Sequence, residues 1–351
     1  MQLIAMDEST TVRAQVDWAV AAASGRRVAR ILGDGPATTD YTRERAAEEL
    51  LADAVAAEEH VLRVTGLVTP GAVPPARTVD RREWVSAAAR SMEALIEPEN
   101  ARHPGLGARL AGVQAGAMLG MVAGSVLGQY DPFGVEGVEG GELLLVVPNV
   151  LAVERALRLR PADFRMWVCL HEVTHRVQFA ANPWLRDYMR ENVAALAGTD
   201  GAGSVGDLLA RTRNALSGGA RHSGIIGVLE IAAPPEQFAA VERLLMLGTL
   251  LEGHADHVMD AAGPAVIPTV ATIRAAFDRR RAAPSNPFQR LLRALMGMDA
   301  KIAQYVRGKK FVDAVVAEVG MERFNRVWTG PDTLPLPDEL DAPQRWIARV
   351  L

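Results

Sequence analysis

Trp167-Val168-Cys169-Leu170-His171-Glu172-Val173-Thr174-His175-Arg176-Val177-Gln178-Phe179 is the stretch on which the fold turns. Apolar residues, from Phe164 through Trp167 and Val168 to Val177, recur there at helical spacing. Pro161-Ala162-Asp163 supplies a helix start, with proline in the first turn and an acid at the positive end of the dipole. Asn182-Pro183 supplies the stop. On such a helix His171 and His175 lie about one turn apart and project from one face, where both imidazoles can grip one metal ion. Glu172 between them can reach a water at that metal.

A catalytic zinc needs three protein ligands and one open position. Leu251-Glu252-Gly253-His254-Ala255-Asp256-His257 is the densest cluster of further candidate ligands, on a second helix expected from Glu236 to about Ala262 and ended by Gly263-Pro264. Glu252 and Asp256, four residues apart, share a face about 40° from each other. Glu252 is therefore the expected third metal ligand. Asp256 is the expected acceptor for the second ring N–H of a ligand histidine, a contact that fixes tautomer and orientation. His254 falls about 200° from Glu252 and His257 about 140°, so neither is expected as a co-ligand. Cys169 is likewise about 200° from His171, a small buried hydrophobe and not a ligand.

These residues resemble the gluzincin branch of zinc peptidases, typified by thermolysin: a HExxH helix, a later glutamate, and an aspartate four residues on. A closer resemblance covers about residues 10–351. It is carried by Gly128-Gln129-Tyr130-Asp131-Pro132-Phe133, Val147-Pro148-Asn149, the stretch Trp167–Phe179, Leu251–Asp256, Gln304-Tyr305 and Phe324-Asn325-Arg326-Val327-Trp328. In these the chain is similar to a zincin-like family of hydrolases labelled as associated with biosynthesis of the deazaflavin coenzyme F-420. The resemblance implies a mainly helical (α+β) zincin-like metallohydrolase fold with a small sheet, Zn²⁺ as cofactor, and Glu172 as the base that takes a proton from water. Tyr305 is the first candidate to stabilise the oxyanion, with His222 and His254 behind it. By the same resemblance the strand expected at Leu143–Val147 has two readings. It is either the sheet edge that pairs with an extended peptide substrate or a core strand.

The rest of the chain sets the context. Its 351 residues carry a net charge of −4, which argues against a nucleic-acid binder. One cysteine excludes an intrachain disulfide framework, and the N-terminal MQLIAMDEST has acids where a signal peptide needs a basic region, so a cytoplasmic protein is expected. Residues 105–128 form an almost wholly apolar, small-residue run. It is expected as a buried helix packed closely on several sides, not a membrane span, because Arg109 and Gln114 interrupt it and no basic flank follows. Alanine-rich helices are expected at Val16–Ala23, Thr42–Leu62 and Arg82–Glu97, with glycine-rich loops at Gly198–Gly206 and Ser217–Gly219. Residues 1–104 are expected as a helical region packed on a catalytic domain of residues 105–351.

The function expected from the sequence is zinc-dependent hydrolysis of a peptide or related amide, with a peptide or amide as substrate and no nucleic-acid partner. The alternative is a catalytically silent, zinc-stabilised binding or assembly protein tied to deazaflavin coenzyme metabolism. Glu172 favours the enzyme, since a structural zinc needs no base beside its ligand.

Overall fold

The computed structural model describes residues 15–71, 73–96, 104–133, 141–197, 234–282 and 298–351; of residues 197, 280–282 and 298–306 it describes the backbone. The loops expected at Gly198–Gly206 and Ser217–Gly219, together with His222, lie outside the described residues.

One small three-stranded sheet has a core on each face. Strand β1 (Arg77–Val79) pairs in parallel with β3 (Glu142–Val146), and β2 (Gly128–Asp131) pairs antiparallel with the other side of β3. All five residues of β3 are buried. Alternation explains its unbroken apolar sequence. Leu143 and Leu145 enter the larger core, while Leu144 and Val146 enter a smaller one on the opposite face. The Leu143–Val147 strand is thus a core strand, and the reading of it as a substrate-pairing edge is corrected: it has a neighbour on each side. Val147 already begins a helix, α5 (Val147–Leu157), with Pro148 in its first turn.

The smaller core is built by α1 (Trp18–Leu32), α3 (Arg81–Ile96) and α4 (Leu106–Val122). On α4, Gly112, Gly116 and Gly120 recur every fourth residue against α1. A Cβ at Gly112 would lie 2.4 Å from the Asp17 carbonyl oxygen, and one at Gly116 would lie 2.2 Å from that of Ala21. The small residues therefore serve one close backbone contact. The opposite face leaves Leu106, Leu110, Val113 and Met118 exposed. This corrects the expectation of a helix enclosed on several sides. Among the described residues no helix is long and apolar enough to cross a membrane.

The larger core centres on α6 (Pro161–Ala181), the helix that carries His171 and His175. On one side lies α2 (Asp40–Thr65), whose Ala46, Leu50, Ala54, Ala57 and Val61 form a buried stripe at helical spacing. Two arginines fasten the pair: Arg165 bonds Glu154 at 3.0 Å and also Glu49, and Arg176 bonds Glu58 at 3.0 Å. On another side lies α8 (Pro235–Val266), which carries Glu252 and breaks at Gly263 (φ 66°), where the sequence signals a stop. Helix α7 (Trp184–Ala197) follows α6 and also packs on α8. After α8 come α9 (Val270–Ala282) and α10 (Met298–Phe324), short 3₁₀ turns at Asn325–Trp328 and Pro331–Thr333, and α11 (Pro343–Val350). Helices α8 and α10 meet backbone to backbone at Gly253 and Gly308, where a Cβ on Gly253 would lie 2.3 Å from the Gly308 carbonyl carbon.

Several residues of the motifs quoted above hold this frame together. Asn149 donates to the carbonyls of Ala123 (2.7 Å) and Val126 (2.6 Å) and accepts from Arg81, tying α5 to the end of α4. Asp131, fully buried, accepts from Ser91 (2.6 Å) and from the Phe133 N–H, fixing the end of β2. Asn325 donates to the Thr65 carbonyl at the end of α2.

Candidate metal centre

Helices α6 and α8 bring three candidate ligand side chains to one point. His171 Nε2 and His175 Nε2 are 3.2 Å apart, and the Glu252 carboxylate lies 3.5 Å from the first and 3.8 Å from the second. A tetrahedral zinc with bonds of about 2.0–2.1 Å has ligand–ligand edges of about 3.3–3.4 Å. The triangle thus has the size of one face of such a site. Its members are neither sealed nor fully exposed: side-chain exposure is 24% for His171, 15% for His175 and 31% for Glu252. That leaves one side open for a fourth ligand. The imidazoles stand edge to face at 88°, so their ring nitrogens converge and the rings do not stack.

Hydrogen bonds account for which ring nitrogens point inward. His175 Nδ1 is 2.9 Å from Gln178 Oε1, and His171 Nδ1 faces the Met259 sulfur at 3.3 Å. The amide oxygen can only accept, so His175 Nδ1 carries the proton and its Nε2 offers its lone pair to the centre, while the Met259 sulfur, a weak acceptor, suits a proton on His171 Nδ1. Two imidazole nitrogens and a carboxylate converge there, a donor set that fits a divalent cation. Burial and the neighbouring His175 hold His171 below its ordinary pKa, which keeps it in the neutral form a ligand requires.

Glu172 stands beside this triangle, 7% exposed. Burial, then the Glu252 charge, push its carboxyl up to about 8 in the metal-free chain, partly opposed by a hydrogen bond from the Tyr130 backbone N–H. Strand β2 lies directly against it: a Cβ on Gly128 would sit 2.6 Å from Glu172 Cγ. Only glycine leaves room there, which explains the residue that opens the Gly128–Phe133 motif.

The remaining candidates fall differently. Asp256 hydrogen-bonds Arg274, its Oδ1 accepting at 2.9 Å and its carbonyl at 3.0 Å, and bonds neither ligand histidine. Asp256 is held by Arg274 while its charge still acts on His171. The Arg274 guanidinium, also paired to Asp260, offers a charge-assisted partner on α9 that is stronger than an imidazole N–H. His254 is fully buried behind the site, stacked on Phe324 at 5.7 Å and edge-on to Trp328 at 5.2 Å. Burial holds its pKa down to about 3. It is therefore a neutral core histidine, corrected from its place among the oxyanion candidates. His257 bonds Asp313 at 2.7 Å. Tyr305 belongs to α10, with its side chain outside the described residues. Gln178 is a site residue that the sequence patterns above do not single out. Its place three residues after His175, about 60° round the helix, nevertheless puts it on the ligand face.

The chain is similar to known proteins along nearly its whole length. A family model described as zincin-like metallopeptidase matches residues 16–347. A solved structure from Chloroflexus aurantiacus, described as "a putative hydrolase with a novel fold", is similar at 30% sequence identity with a TM-score of 0.67. The similarity covers 95% of this chain and 98% of that one. No curated protein matches.

Proposed function

The chain belongs to the zincin-like metallopeptidase family, and from that premise we propose that it is a zinc-dependent hydrolase of peptide or related amide bonds. His171, His175 and Glu252 hold the Zn²⁺, and Glu172 is the general base. The observation that carries this reading is the convergence of two imidazole nitrogens and one carboxylate within 3.8 Å, beside a buried glutamate. Two histidines and a glutamate with an open side are a donor set of catalytic zinc, whereas closed four-ligand sets are structural.

Bound zinc supplies an acidified water and polarises the scissile carbonyl. Glu172 receives the proton as the water oxygen bonds to the carbonyl carbon. It then delivers that proton to the amide nitrogen as the C–N bond breaks, leaving a free acid and a free amine. The Tyr130 N–H holds the Glu172 carboxyl group in place through both steps. Strand β2, the outer strand on the side of the metal helix, is the proposed partner for an extended substrate chain, in place of β3. Tyr305 stays the proposed donor to the developing oxyanion. Its support is positional: it lies three residues before Gly308, which meets Gly253 next to the ligand Glu252. None of these residues carries the coenzyme F-420 association that the resemblance implies.

The test is a broad library of internally quenched peptides and acyl amides. It is incubated with zinc-loaded protein, with protein stripped by chelator, and with stripped protein after zinc is restored. Cleavage is expected in the first and third only. Zinc-loaded protein that cleaves nothing in the library, or stripped protein that cleaves as fast, contradicts the reading.

A further inference from the structure

We propose that Gln178 is a positioning residue of the metal centre. It fixes the tautomer of His175 while locking the histidine helix α6 to the glutamate helix α8. The inference rests on the reading of His171, His175 and Glu252 as metal ligands and assigns how one of them is held.

Gln178 is fully buried, and donors and acceptors fix all three groups around its amide. Its Nε2 lies 3.0 Å from the Leu251 carbonyl oxygen and 2.9 Å from His254 Nδ1, and its Oε1 lies 2.9 Å from His175 Nδ1. A carbonyl oxygen can only accept, so the amide nitrogen must face Leu251, and turning the amide over would set oxygen against oxygen. The amide oxygen is thereby fixed toward His175. That oxygen can also only accept, so His175 Nδ1 carries the proton, and Nε2 is left with the lone pair that points at His171 and Glu252.

His254 completes the same logic from the far side. The second amide hydrogen of Gln178 points at its Nδ1, which must therefore accept, and its own proton sits on Nε2. That Nε2 is buried with no hydrogen-bond partner among the described residues. An unsatisfied buried donor is costly, so something else must hold the ring in this state. The stacked Phe324 and edge-on Trp328 hold its plane, and the Gln178 amide then selects its tautomer. The relay runs from the aromatic cage through His254 and Gln178 to His175. It also binds Leu251, the residue preceding the ligand Glu252. One side chain thus sets the ring state of one ligand and the position of the helical turn bearing another.

Two variants separate these two jobs. Gln178→Leu removes both the acceptor for His175 and the donors to α8. Gln178→Glu keeps an acceptor for His175 but turns a second oxygen toward the Leu251 carbonyl. Both are expected to melt lower than wild type. Gln178→Leu, which loses both contacts, is expected to lose zinc affinity by roughly 10- to 100-fold in chelator competition and to alter the absorption spectrum of the cobalt-substituted protein, and Gln178→Glu, which loses only the contact to α8, is expected to lose clearly less. Independently, nitrogen-15 NMR of the metal-free wild type should show the His175 proton on Nδ1. The proposal is overturned if that proton is on Nε2, if Gln178→Leu binds zinc as wild type does, or if both variants lose affinity equally. Should Gln178→Leu fail to fold, Gln178→Glu and the wild-type spectrum still decide. If wild type takes up no zinc, the metal reading fails by itself, and the His175 tautomer in the metal-free protein still tests Gln178 separately.

Discussion

Glu172→Gln is expected to lower hydrolysis by about 10²- to 10⁴-fold, the usual contribution of a positioned general base, while leaving zinc stoichiometry unchanged. Glutamine keeps the shape of the side chain and an oxygen for the Tyr130 N–H, so the loss reports proton transfer and not collapse of the site. The same variant has a signature in stability. In the metal-free chain Glu172 is raised from its ordinary 4.5 to about 8. The folded state therefore binds more protons than the unfolded state between those values, and wild-type stability falls as pH rises through that window. Glutamine does not titrate. Metal-free Glu172→Gln should therefore be more stable than metal-free wild type, with a gap that opens above about pH 4.5 and stops growing above about pH 8. Rate assays paired with thermal melts across pH check both halves. Wild-type rates in the variant would remove Glu172 from the reaction.

Gly253→Ala is expected to be the most damaging single-methyl change near the site. The new Cβ would stand 2.3 Å from the Gly308 carbonyl carbon and 2.6 Å from the Lys309 nitrogen. Both are backbone atoms, so no side chain can swing aside and α8 must part from α10. Overpacking of this kind costs about 3 kcal/mol or more at the upper end of its range. Because Glu252 is the adjacent residue, the displacement reaches the third ligand as well. Melting temperature and zinc affinity should fall together, and saturating zinc should recover part of the stability by mass action on the folded state. A variant with unchanged melting temperature and unchanged zinc affinity would mean that the two helices are not packed as described.

How far the sequence reveals this molecule depends on whether a single helix or two helices decide the matter. The phase of one helix is enough to place His171 and His175 on one face and to set Glu252 apart from His254 and His257. Helix ends are equally local: Pro161, Asn182 and Gly263 lie at the boundaries of α6 and α8. Asp256 shows where locality stops. Its spacing from Glu252 fixes its face of α8, but its hydrogen bonds depend on Arg274, a residue of another helix whose packing no spacing rule reveals. The same holds for the sheet. Strands of three and four residues, β1 and β2, are too short to show alternation, so β3 stands without neighbours in the sequence and its edge or core status stays open there. The glycines of α4 signal close packing but not its direction, and contacts with α1 and α3 leave the face of Leu106, Leu110, Val113 and Met118 exposed. Gln178 is silent in the sequence because an amide carries no charge and belongs to no metal-binding pattern. Only the fixed carbonyl of Leu251, seen in three dimensions, gives it a role.

The most direct test of the central claim is zinc-edge X-ray absorption on the purified wild-type protein after one equivalent of zinc is added. The expected result is one tightly held zinc per chain, with two imidazole nitrogens and carboxylate oxygen at about 2.0–2.2 Å and no sulfur, since Cys169 is buried on the α2 side of the helix. One imidazole should disappear from the spectrum in His175→Ala. Wild-type protein that binds no zinc, or a zinc shell that lacks two imidazoles, would contradict the assignment of His171, His175 and Glu252.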